Sequence, residues 1–140
     1  MAKYEAKEYK MTILGDCPSK ANSYKIITFN GHSKLGKTKV LQSYEKAFAL
    51  QCKYRGLDIK EFFSIDLDVY YPNNRKDLDG AWKIILDCLQ TNGVIHNDRE
   101  CLELHSRKLI DKNNPRVEIT IRTMAGITTS DSREPSLFDL

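Results

Sequence analysis

Residues 59–90 read IKEFFSIDLDVYYPNNRKDLDGAWKIILDCLQ, and the hydrophobic period changes midway through them. Phe63, Ile65, Leu67, Val69 and Tyr71 point one way while Ser64, Asp66, Asp68 and Tyr70 point the other, the two-residue alternation of a half-buried strand. Pro72-Asn73-Asn74 ends it, because proline lacks the N–H a ladder needs and asparagine favours turns. From residue 78 to 90 the apolar spacing becomes helical, with Leu78, Trp82, Ile85, Leu86 and Leu89 expected on the inward side and Trp82 in the core. Thr91-Asn92-Gly93 then offers a helix stop.

Working outward, residues 8–14 (EYKMTIL) read as a first strand, and residues 40–54 carry Val40, Leu41, Tyr44, Ala47, Phe48 and Cys52 at helical spacing up to Gly56. Between them, residues 17–39 read as a long basic loop rich in Ser, Asn, Lys and Gly, enclosing a short apolar piece, residues 26–29. After the second helix, residues 101–110 and 116–122 read as two strands joined by a turn at 111–115, which predicts a hairpin. The expected fold class is α/β (α+β), a mixed β-sheet with two main helices. One domain is expected over residues 1–123, followed by a flexible acidic tail over 124–140.

At 140 residues the chain has room for one domain. It contains no apolar run of the roughly 20 residues that cross a membrane, and its charged N-terminus lacks a secretory pattern, so a cytoplasmic, nucleoid-associated protein with no membrane partner is expected. Four scattered cysteines without a CxxC pair, and three histidines without ligand spacing, argue for reduced thiols and against zinc. Net charge is only +3, but it is unevenly placed: residues 17–44 hold no Asp or Glu, while Lys20, Lys25, Lys34, Lys37 and Lys39 all fall there. That balance suits a polyanionic partner.

Arg75-Lys76-Asp77-Leu78-Asp79 lies at the junction of strand and helix. Two carboxylates two residues apart can converge on one cation there, and Lys83 follows Asp79 by one helical turn on the same face. Asp98 comes after the helix, so it meets Asp79 only if the chain doubles back along a helix of about 20 Å, with Val94-Ile95 as the returning apolar contact. Hard cations such as magnesium take oxygen ligands and keep several waters, so two or three carboxylates suffice. The same residues also read as a helix cap at Asp77 and a solvated turn at Asp98, since a DxD pattern is common.

Taken together, the basic run into Asp77-Leu78-Asp79, Lys83 one turn on, an apolar helix ending near Gly93 and the acidic Asp98 resemble the RusA family of Holliday junction resolvases. Pro18, Ser19, Asn22 and Tyr24 after the first strand match more loosely, as do Lys108 and residues 117–121 near the end. The resemblance implies a homodimer that binds four-way and other branched DNA and nicks two strands using Mg2+, or Mn2+ in its place. It further implies that Asp77, Asp79 and Asp98 hold the metal and that Lys83 serves the scissile phosphate. Gly80 departs from the family, which often places Asn there, and Asn97 stands where acidic residues also occur. Lys20, Lys25, Lys34, Lys37, Lys39, Arg75, Lys76 and Lys108 are expected to contact DNA phosphates.

Two other classes compete: a non-catalytic DNA-binding protein, and a small ATPase. Gly31-His32-Ser33-Lys34-Leu35-Gly36-Lys37-Thr38 fits the phosphate-loop pattern GxxxxGK[ST], between an apolar segment and a helix. Against ATP binding stands the lack of repeated parallel βαβ units. Asp66 and Asp68 read as a solvated sheet face, His96 as a bystander near the site, and Tyr24, Tyr70 and Tyr71 as packing residues. Leu137 and Phe138, in an acidic tail, resemble the short peptide that sliding clamps capture.

Overall fold

A computed structural model describes residues 6–128. Six strands, β1 (Glu8–Leu14), β2 (Tyr24–Phe29), β3 (His32–Lys37), β4 (Glu61–Tyr71), β5 (Cys101–Ile110) and β6 (Arg116–Thr128), combine with two helices, α1 (Lys39–Gln51) and α2 (Leu78–Thr91). Four strands form one sheet in the order β1-β6-β4-β5, and β2 pairs with β3 alone.

The alternation from Phe63 to Tyr71 positions everything else. Leu67 stands between Ile119 of β6 and Ser106 of β5, and Val69 between Val117 and Lys108. Ile65, Leu67, Val69 and Tyr71 are fully buried in one cluster with Leu41, Tyr44 and Phe48 of α1 and Ile84, Ile85 and Leu89 of α2. Each such side chain contributes about 1.5–3 kcal/mol by leaving water. On the opposite, solvated face Asp66 binds Arg122, and Arg107 forks onto both oxygens of Asp68 at 2.9 Å. Asp66 and Asp68 therefore belong to an ion-paired sheet surface, as the alternation predicts.

Three expectations change. Residues 101–110 and 116–122 are strands but not a hairpin: β5 pairs with β4 in parallel, while β6 lies antiparallel between β4 and β1. The parallel pair needs a crossover, and α2 supplies it. Residues 17–39 are not one long loop, since most of them form the β2–β3 hairpin. Asn30 (φ 50°) and Gly31 (φ 79°) make its turn, both in the left-handed region that a two-residue type I′ turn demands. Trp82, expected in the core, keeps 40% of its surface exposed. The inward side of α2 is instead Gly80, Ala81, Ile84, Ile85, Cys88 and Leu89, turned by about one residue from the expected stripe. The small Gly80-Ala81 pair is what lets that side approach its neighbours.

The last strand runs to Thr128. No helix among the described residues is long and apolar enough to cross a membrane.

Candidate active site

Where β4 ends, the chain breaks at Pro72 and enters α2 with Asp77 at the N-cap position. An N-cap aspartate normally turns its carboxylate onto the first free N–H groups. Asp77 makes no such bond. Its backbone carbonyl is instead held by the Tyr71 hydroxyl, 3.3 Å away. Burial first, then Cys17 and the carboxylates of Asp16, Asp79 and Asp77, push the Tyr71 hydroxyl above its usual range, so it remains a donor. Asp79 follows in the first turn of α2. Neither carboxylate has an ion-pair or hydrogen-bond partner among the described residues, although Lys76 is adjacent in sequence: its ammonium is committed to Asp16 at 2.7 Å and to the Cys17 carbonyl at 3.1 Å.

Asp77 and Asp79 open onto a cleft of about 790 Å³ that Lys20, Asn22, Asn73 and Arg75 also line. Its far wall is a compact turn in which the Ser19 hydroxyl accepts from the Asn22 amide and the Ser23 hydroxyl donates to the Ser19 carbonyl. Gly80 explains how that wall comes so close. A Cβ there would sit 3.0 Å from the Lys20 amide nitrogen, so the departure at Gly80 serves the packing of this turn against α2.

Asp98 does not join them within one chain. It begins a single 3-10 turn, and its amide donates to the Gln90 side chain at 3.0 Å. Gln90 lies at the opposite end of α2, about 16 Å along the axis from Asp79 at 1.5 Å per residue. Among the described residues no three His, Cys, Asp or Glu side chains gather to hold a metal ion. The expected return of the chain after Gly93 does occur, with Val94 and Ile95 buried. Ile95 bridges to Ile59, two residues before β4 begins, so the returning chain reaches the opening end of β4 and not the end where Asp77 stands.

Lys83 pairs with Asp87 at 3.1 Å. That bond holds its pKa above the ordinary lysine value, with a smaller contribution from Asp98. Lys25 and Lys34 share one face of the β2–β3 hairpin with Phe29 and His32, Lys37 is held by Glu45 at 2.8 Å, and Lys39 is exposed at the start of α1. Lys108 lies over the Tyr71 ring, 5.9 Å from its centre, and the Arg116 guanidinium stacks on Tyr70 at 3.7 Å. His96 pairs with Asp58 at 3.5 Å, near Asp98 in the chain and away from Asp77. Leu137 and Phe138 lie outside the described residues.

The phosphate-loop match dissolves into hairpin structure. Residues 31–37 form the turn and strand β3, and Thr38 caps α1 by accepting from the Leu41 amide. Gly36 pairs with Lys25, and a Cβ on it would meet Ile27 Cδ1 at 2.1 Å. The glycine is needed so that Ile27 can cross the strand, and no nest of amide groups wraps a phosphate.

Sequence reasoning passed over Glu100, which is 1% exposed with neither carboxylate oxygen hydrogen-bonded. Burial raises its pKa above the ordinary 4.5. A carboxyl that is harder to ionise folded than unfolded lends stability at low pH, and this is lost as pH rises from about 4.5 through the folded-state value. Glu100→Gln is expected to stabilise the protein by about 1–2 kcal/mol at pH 8 and to change little near pH 4. Thermal melts across that range check it, and a variant less stable than wild type at pH 8 rejects it. The Cys17 and Cys88 thiols, pushed up to about 12 by burial, stay protonated.

Comparison with known proteins points the same way as these carboxylates. The family model described as Endodeoxyribonuclease RusA matches residues 18–122. A protein named Crossover junction endodeoxyribonuclease RusA, from Aquifex aeolicus (strain VF5), is 36% identical over 74 residues, which is 52% of this chain and 59% of that relative.

Proposed function

From the membership of this chain in the endodeoxyribonuclease RusA family, we propose that it is a metal-dependent endonuclease that resolves four-way DNA junctions as a homodimer. The observation that carries this reading is the pair Asp77 and Asp79, two residues apart, unpartnered among the described residues and lining one cleft with Lys20 and Arg75. Like charges so placed repel one another unless a cation joins them. Two carboxylates with room for waters and a phosphate also match what a magnesium or manganese ion requires. Because Asp98 stands at the other end of α2, its part in the same centre requires the Asp98 of a second copy.

A bound divalent ion supplies a Lewis acid that lowers the pKa of water and offsets charge on the phosphoryl oxygens. The protein does the rest. Tyr71 fixes the backbone at Asp77, so both carboxylates are placed before DNA arrives. Lys20 and Arg75 hold the backbone of the DNA against the cleft. Lys83, kept protonated by Asp87, exchanges that partner for the scissile phosphate and counters charge building there. Lys34 and Lys25 on the hairpin, Lys39 beside it and Lys108 near β4 extend the cationic surface, with Lys37 and Lys76 contributing less while Glu45 and Asp16 hold them. Leu137 and Phe138 remain a proposed sliding-clamp contact.

A labelled four-way junction incubated with and without magnesium tests the reading. Paired symmetric nicks that need the metal and vanish in Asp79→Asn are expected. Tight junction binding with no cleavage in magnesium or manganese makes the chain a DNA-binding protein instead.

A further inference from the structure

We propose that the tip of the β2–β3 hairpin is a binding site for an unpaired nucleobase of DNA, with the Phe29 ring as its stacking surface. The inference rests on the DNA reading above and extends it from backbone charge to bases.

Among the described residues β2 and β3 pair only with each other, so both faces of the hairpin meet water. Ile26, Phe29 and Leu35 are 75%, 73% and 69% exposed. Single apolar residues in water are ordinary, but three gathered on one projecting hairpin mark a contact surface. The strand alternation divides them. Lys25, Ile27 and Phe29 of β2 share one face with His32, Lys34 and Gly36 of β3, while Ile26 and Leu35 stand opposite each other on the second face.

The first face has the chemistry of a base site. Phe29 and His32 are cross-strand partners, which sets two flat rings about 4.5–5.5 Å apart at Cβ. Ile27 leans away from them, toward the root of the hairpin, because its Cδ1 fills the space above Gly36. A hollow of about 440 Å³ lies at the tip, lined by Ile27, Phe29, Asn30, His32, Ser33 and Lys34, within the range of small-ligand sites.

Charge selects the occupant. Lys25 and Lys34 lie on the same face as Phe29, and no Asp or Glu occurs from residue 17 to 44. A nucleotide strand offers both things this face lacks, a π-face for the ring and phosphates for the ammonium groups. The second face offers less: its exposed apolar pair is aliphatic, and the Lys37 ammonium is already held by Glu45 at 2.8 Å.

The hairpin is also rooted at the cleft of Asp77 and Asp79. Asn22 lines that cleft, and its carbonyl accepts from the Thr38 hydroxyl at 2.6 Å, while the Ser23 carbonyl accepts from the Thr38 amide at 3.0 Å. From Tyr24 to Phe29 strand β2 extends about 17 Å, a span of about five nucleotides at 3.4 Å each. An unpaired base leaves its stack at less cost than one inside a duplex. The lysines therefore hold the backbone of any DNA, and Phe29 adds affinity only where a base is free.

Fluorescence anisotropy in calcium, with a short oligothymidylate, the same oligomer without bases and a paired duplex, tests this. Phe29→Ala is expected to weaken oligothymidylate binding on the order of 10-fold, leaving the duplex and the base-free oligomer unchanged. Phe29→Trp keeps a flat ring and is expected to hold wild-type affinity, its added fluorescence quenched by oligothymidylate and not by duplex. Ile26→Ala, on the second face, is expected to bind all three as wild type does. Circular dichroism checks that each variant is folded. A wild type that does not bind oligothymidylate, or a Phe29→Ala loss equal on all three DNAs, overturns the proposal. So does Phe29→Ala that keeps every DNA affinity but changes oligomeric state by light scattering, which makes the face a contact between proteins. Oligothymidylate binding that depends on Phe29, in a protein that nicks no junction in any divalent metal, removes the nuclease reading alone. Metal-dependent nicking with oligothymidylate binding indifferent to Phe29 removes the base site alone.

Discussion

An equimolar mixture of Asp79→Asn and Asp98→Asn chains, co-refolded so that subunits exchange, is expected to cut junction DNA that neither variant cuts alone. On the proposed reading each homodimer loses a metal ligand from both centres, and removing one such electrostatic group costs about 100-fold or more in rate. In a mixed dimer the two lesions segregate. One centre keeps Asp77 and Asp79 from the Asp98→Asn chain and Asp98 from the Asp79→Asn chain, whereas the other centre carries both substitutions. Random exchange in a two-fold dimer then restores about a quarter of wild-type centres. The product changes in kind as well, because a dimer with one intact centre nicks one strand and cannot make the paired cut. A labelled junction resolved on denaturing gels distinguishes single nicks from resolution. If the variants exchange subunits and the mixture stays inactive, the three aspartates do not share a centre across two chains. Asp98 is tied to Gln90, near the far end of α2 from Asp79, and a centre shared between two chains is how the proposed reading brings all three together.

How much of this was legible depends on whether the information is local. The alternation through residues 63–71 and the helical spacing from 78 onward belong to β4 and α2 themselves, and both elements stand where they were expected. Asp77 and Asp79 were legible as a pair for the same reason, being two residues apart at one junction. The β2–β3 hairpin had a local signal that was passed over: Asn30-Gly31, the dipeptide best suited to a type I′ turn, outweighed by the lysine-rich composition around it. The partners of β5 and β6 had none. The turn at residues 111–115 suits a hairpin, yet Asp111 donates its amide to the Tyr71 carbonyl, carrying the register of β4 past the end of β5. Strand pairing of that kind is decided by which apolar rows fill the sheet, and a single strand cannot reveal it. The position of Asp98 inherits the same limit, since it depends on β5 running parallel to β4. Trp82 was misplaced because spacing identifies an apolar stripe to within about one residue, and at Trp82 one residue separates core from edge.

Removing three cations together, Lys20→Ala, Lys25→Ala and Lys34→Ala, is expected to weaken junction binding on the order of 100-fold at 0.15 M salt. None of the three is ion-paired among the described residues, unlike Lys37, Lys76 and Lys83, whose ammonium groups are already held by Glu45, Asp16 and Asp87. A free lysine ammonium gains more from a phosphate than one that must first surrender a carboxylate. Lys20 stands at the cleft with Asp79, and Lys25 and Lys34 share a hairpin face. Each phosphate neutralised releases counterions and adds about 0.9 to the slope of log affinity against log salt. The triple variant should therefore show a slope shallower by about 3, and its deficit should shrink steadily toward 1 M salt. Lys37→Ala, measured beside it, should change the slope by much less. Fluorescence anisotropy over a salt series, in calcium so that the junction is bound without being cut, measures both. A triple variant with an unaltered slope would mean that DNA lies elsewhere on the protein. An equal loss on duplex and on four-way DNA is expected too, because these lysines read charge, which every DNA backbone carries alike.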